Sequence, residues 1–121
     1  MNIHRGFVAI GGLIGAGGIA SYAAAAHSPS GHIATIAPML LIHAPVFLAL
    51  SPLARINRAA LLGGLILALG LLLFVGDLFS RDLTGARAFA FAAPLGGSLL
   101  IIGWLGIAAT AFRALDFQRG S

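Results

Sequence analysis

Residues 59–81 read AALLGGLILALGLLLFVGDLFSR, and the fold class follows from them. From Ala59 to Gly76, eighteen residues carry no charge, and the run closes on Asp77 with Arg81 one turn later. A helix needs about 20 apolar residues to cross a ~30 Å hydrocarbon layer. An acid at the end of such a run is costly in lipid, so it faces the bundle interior and finds a cation. Arg81 stands at i+4, on the same helix side.

Three more apolar runs flank this one, so the chain reads as four spans: Phe7–Ala26, Ile33–Leu50, Ala59–Phe79 and Ala92–Phe112. Pro29 and Gly31 separate the first two, Pro52 and the Arg55–Arg58 segment the next, and Asp82-Leu83-Thr84-Gly85 opens the last connection. No stretch alternates at period two for long enough to form a barrel strand. The expectation is an all-α membrane protein, one four-helix transmembrane domain over residues 1–121. The first run begins after Arg5 and ends on Ala24-Ala25-Ala26, which imitates a secretory signal. It is read here as a retained span.

Composition agrees. The chain of 121 residues is 60% hydrophobic and 8% charged, with a mean hydropathy of +1.04. Soluble domains carry about a quarter charged residues, and so short a chain cannot hide this much apolar surface in a water-soluble core. The net charge is +4, and all seven basic residues are arginines. They stand singly between apolar runs, the pattern of span flanks and not of a nucleic-acid surface. Arg5, Arg55, Arg58, Arg113 and Arg119 fall on one side of a four-span chain, Arg81 and Arg87 on the other. That asymmetry predicts both termini in the cytoplasm. The absence of lysine and the abundance of Ala and Gly point to a GC-rich bacterial genome, hence a bacterial inner membrane.

Lipid gives helices no hydrophobic reason to associate, so close packing must hold the bundle. Gly11 and Gly15 form a GxxxG pair, and Gly18 continues their face. Gly63, Gly70 and Asp77 are spaced by seven in the third span, and Gly96 and Gly103 repeat that spacing in the fourth. These glycines are read as packing seams, with a glycine-lined pore as the functional alternative. The second span carries Pro38 and Pro45, each of which removes a donor and frees a carbonyl. A kink there is expected. Pro94 falls in the first turn of the fourth helix, where a missing N–H costs little.

Few residues could carry chemistry. Asp77 with Arg81 is either an ion pair that fixes helix register or a proton or cation site. His43, in the middle of the second span, either relays a proton or bonds a carbonyl freed by Pro45 or a neighbouring helix. His27, His32 and Asp82 have metal-compatible side chains without tight ligand spacing. Trp104 sits near mid-span, where core packing is expected and a buried indole N–H needs a partner. There is no cysteine, which excludes disulfides and thiolate metal sites. No phosphate loop, nucleophile elbow, haem motif or dinucleotide fingerprint is present.

The order of motifs resembles a known family. It comprises Ala25-Ala26-His27, Ile42-His43-Ala44, the LLFVGDL run at 72–78, Leu83-Thr84-Gly85, Ala93-Pro94-Leu95-Gly96-Gly97 and Gly103-Trp104-Leu105. Across residues 7–112 the chain is similar to the domain of unknown function 423 family, small bacterial inner-membrane proteins akin to eukaryotic transmembrane protein 256. The resemblance implies four helices and no established activity. The resulting expectation is a non-enzymatic accessory or structural subunit, without cofactor or metal, packed against a larger respiratory or photosynthetic complex or against itself. The competing expectation is a small oligomeric transporter or proton or cation channel using Asp77, Arg81 and His43. An enzyme acting on lipid or quinone ranks last.

Overall fold

The computed structural model describes residues 2–28 and 31–112. Among them are four helices: α1 (Ile3–His27), α2 (Ile33–Leu53), α3 (Arg58–Thr84) and α4 (Ala92–Ala109), the last running into a 3-10 turn at Thr110–Phe112. All four are long and apolar enough to cross a membrane. Pro29, Arg113 and Arg119 lie outside the described residues.

Several helix ends differ from expectation, among them α1, which begins at Ile3 and not Phe7, and the ends of α3 and α2. The third helix continues five residues past Phe79, to Thr84, because Asp77, Arg81 and Asp82 all find partners along that extension. It stops at Gly85, whose left-handed φ of 75° turns the chain while its N–H returns to the Arg81 carbonyl. The second helix runs through Pro52, which closes the apolar run but not the helix.

The bundle is built as two hairpins. In the first, α1 lies along α2; in the second, α3 lies along α4. They meet along α2 and α3, where Ile36, Leu40, Phe47 and Leu50 pack with Ala60, Leu67, Leu71 and Leu78 into one buried cluster. For reference, the end carrying the α1–α2 and α3–α4 connections is called the Asp82 end, and the other the Asn57 end.

The two hairpins use their glycines differently. A methyl group on Gly11 would meet Leu48 at 2.9 Å, and one on Gly18 would meet Leu41 at 2.6 Å. Leu41 and Leu48 are therefore knobs filling the holes that Gly18 and Gly11 leave, with Gly15 facing Ala44 between them. In the second hairpin backbone meets backbone. A methyl on Gly70 would sit 2.8 Å from the Leu100 nitrogen, and one on Gly96 only 2.6 Å from the Phe74 nitrogen. Gly63 and Gly103 lie against each other in the same way, each 3.1 Å from the other's carbonyl oxygen by that measure.

At the Asn57 end, the Ser51 hydroxyl donates to the His4 carbonyl at 2.7 Å, joining α2 to α1. Asn57 caps α3, its Oδ1 accepting from the Ala59 N–H at 2.9 Å and the Ala60 N–H at 3.3 Å. Its Nδ2 is buried and finds no partner among the described residues. Phe91, at the start of α4, holds a left-handed φ of 69° although it is not glycine.

Candidate functional site

Asp77 is the one fully buried charged side chain among the described residues, at 0% exposure. The helical rise places it on the face shared with Gly70 and Gly63, turned toward α4 and its connection. Arg81 reaches it from one turn on: Nη2 lies 2.8 Å and Nε 3.0 Å from Oδ2. The second oxygen, Oδ1, accepts the Ala88 backbone N–H at 2.8 Å. The carboxylate thus has two guanidinium nitrogens on one oxygen and a loop amide on the other. It fastens the α3–α4 connection to the end of α3. Arg87, two residues past Gly85, makes no ion pair with it among the described residues.

His43 is 4% exposed and forms a separate centre. Its Nδ1 lies 2.7 Å from the Met39 carbonyl, and its Nε2 receives the Trp104 indole N–H at 3.3 Å. A carbonyl only accepts and an indole N–H only donates. The ring therefore carries its proton on Nδ1 and presents a bare Nε2, so the arrangement is complete for the neutral tautomer. The carbonyl bonded is that of Met39 on the same turn, not one freed by Pro45. The neighbouring-helix contact is supplied by Trp104, whose ring lies 5.8 Å from the imidazole between centroids. Trp104 does not pack in a core as expected. It is 40% exposed, with its N–H turned inward to His43.

The three residues grouped in the sequence as one polar site are thus two sites. Asp77 and Arg81 come together; His43 does not join them. Trp104 stands beside Gly103, which lies against Gly63 and Leu67, so the level of α4 that carries Trp104 lies ~15 Å or more along α3 from Asp77 at ~1.5 Å per residue. No hydrogen bond among the described residues links the two.

A third polar contact joins the hairpins at the Asp82 end. Asp82 accepts the His32 backbone N–H at 2.9 Å and the His32 Nδ1 proton at 2.7 Å. This puts a carboxylate at the start of α2, where the unpaired amides of a helix N-terminus favour negative charge. Gly31 makes the approach possible. Its φ is 72°, and a methyl group there would lie 2.8–2.9 Å from the Asp82 carboxylate. His27 stays apart, and no group of three metal-capable side chains occurs among the described residues.

Two partners escaped the sequence reading. The Ala88 amide carries no side-chain signal, since any residue but proline offers the same N–H. The Asp82 contact with His32 spans fifty residues and depends on two hairpins docking. The Asn57 cap went unread as well, although it left a signal: asparagine before a run of Ala and Leu marks a helix start.

No solved structure matches this chain. A family model does, that of the Protein of unknown function (DUF423), over residues 14–97. The match takes in the small-residue part of α1, all of α2, all of α3 with Asp77, Arg81 and Asp82, and the first turns of α4. With four membrane-length helices and that match over most of its length, this small membrane protein belongs to the DUF423 family.

Proposed function

We propose that this protein is a non-enzymatic accessory subunit, seated against a larger membrane assembly, respiratory or photosynthetic, in a bacterial inner membrane. Both termini face the cytoplasm in this reading, as the arginine asymmetry requires, and Pro38 and Pro45 bend α2. The observation that carries it is the closure of Asp77: both of its oxygens are engaged within the chain, by Arg81 and by Ala88. A carboxylate held this way acts as a tie between helix and loop, its charge already balanced by Arg81. The His43 ring is closed in the same sense, each nitrogen having one partner. The outward faces of α1 and α4 are rich in Ala, Gly, Leu and Ile and offer extensive surface to other helices.

Proteoliposomes carrying the purified protein and an internal pH dye separate this reading from transport. No flux above empty vesicles is expected in the parent or in Asp77→Asn. The variant should melt several degrees lower, because the amide keeps the Ala88 contact but leaves Arg81 without its counter-charge. In parallel, native electrophoresis of mild-detergent extracts should show the protein migrating within a larger species. Robust proton flux in the parent, lost in an Asp77→Asn protein of unchanged melting temperature, overturns the assignment.

A further inference from the structure

The chain between α3 and α4 comes back down along the tip of α3. Past Asp77, α3 continues to Thr84, a climb of ~10 Å at ~1.5 Å per residue. Gly85 reverses the chain, and two hydrogen bonds fix its descent. The Ser80 hydroxyl donates to the Ala86 carbonyl at 2.9 Å, and Asp77 accepts the Ala88 N–H at 2.8 Å. Ala86 is therefore level with Ser80, and Ala88 with Asp77. The start of α4 agrees: Gly96 lies against Phe74, so Ala92, one turn nearer the connection, stands level with Asp77 and Leu78. Phe89 and Phe91 fall at this same depth, and their side chains point away from the protein, 47% and 74% exposed. Phe91 makes the turn into α4 at a φ of 69°, which glycine takes freely and phenylalanine only under strain.

Depth and charge together decide what the two rings meet. Arg58 marks one edge of the uncharged stretch of α3, and Asp77 lies ~29 Å farther along it at ~1.5 Å per residue. The hydrocarbon layer is ~30 Å thick. With Arg58 at one edge, Asp77, Phe89 and Phe91 are at the other. The tip of α3 and the descending segment then lie in the headgroup layer, roughly 5–8 Å deep on each side. In that layer Asp77 is balanced by Arg81, and Asp82 is engaged by His32. Arg87 is exposed and makes no ion pair among the described residues. A surplus guanidinium at this depth, beside two rings at the hydrocarbon edge, is matched to a phosphate.

We propose that the α3–α4 connection docks on the phospholipids of the leaflet at the Asp82 end, with Phe89 and Phe91 entering the edge of the acyl region and Arg87 meeting a phosphate. The Asp77–Ala88 bond then holds this anchor at its depth. Burial of the Phe91 ring in lipid offsets the strain of its backbone. The inference is independent of whether the protein is an accessory subunit.

The chain has no cysteine, so Phe89→Cys and Phe91→Cys each accept a single nitroxide label. In vesicles of phosphatidylethanolamine and phosphatidylglycerol, collisions with oxygen report hydrocarbon and collisions with a nickel chelate report water. Oxygen should dominate at both positions, though less than at Gly12→Cys, an open site well inside α1. Leu83→Cys, ~9 Å farther out along α3 at ~1.5 Å per residue, should favour nickel although Leu83 is the more exposed side chain. Arg87→Gln should raise nickel access at the Phe91→Cys label several-fold, and Arg87→Lys should restore the parent value. Phe89→Cys carries the same comparison should the strained position 91 not accept the change. Nickel dominating at 89 and 91 puts the connection in water, and exclusion of both reagents puts protein over it; either result overturns the proposal. So does equal accessibility at 83 and 91. Unchanged label depth in Arg87→Gln overturns the phosphate contact.

Discussion

The two hairpins solve one packing problem in opposite ways. In α1–α2 the glycines are holes, and leucine side chains fill them. In α3–α4 the glycines are bare backbone laid on bare backbone, Gly70 with Gly96 and Gly63 with Gly103. A side chain can rotate out of the way; a peptide unit cannot. The second hairpin is therefore closer and less forgiving. It also carries the Asp77 tie, which holds its connection to the end of α3. The first hairpin has no counterpart among the described residues, only the Ser51–His4 bond at the other end.

Substitutions can break this comparison, and the largest effect belongs to the backbone contact. Gly70→Leu, whose first added carbon already lies 2.8 Å from the Leu100 nitrogen, should force α3 and α4 apart. The cost should reach or exceed the upper part of the ~1–3 kcal/mol range for overpacking. Thermal melting in detergent measures it, and a variant that melts like the parent would show that α4 does not lie on α3 as described. Gly18→Ala should cost less, roughly 1 kcal/mol, because its principal obstacle is the half-buried Leu41 side chain. A Gly18→Ala loss equal to that of Gly70→Ala would erase the distinction between the hairpins. The smallest effect sharpens it from the other side. Gly12→Ala meets nothing within 4 Å, so helix propensity alone should raise stability by at most ~1 kcal/mol. Destabilisation there would mean that this face of α1 is covered.

Much of this was legible in the sequence, for physical reasons that differ residue by residue. The spans could be read because the hydrocarbon layer imposes a length and excludes charge, and residues 59–76 obey both. The heptad glycines announced close seams, yet nothing in their spacing distinguished a leucine-filled hole from a backbone contact. That depends on what the partner helix brings to the same level. Asp77 and Arg81 declared themselves at i+4. Their separation from His43 follows from positions the sequence already gives, mid-span for His43 and span end for Asp77; what the sequence did not give is the Trp104 partner of His43. The polar end of α3 hid its length: Ser80 to Thr84 looks like loop, and becomes helix because Asp82 serves the start of α2.

The thin seam between the hairpins bears on how the chain is made. Almost every close contact joins helices adjacent in sequence, so each hairpin can form as soon as its second helix has entered the bilayer. Topologies dominated by local contacts fold fast. Docking of α2 on α3 is then the late step, and the most easily reversed. Opening along it would be the first cooperative excursion from the native state, with amides inside each hairpin still protected from exchange.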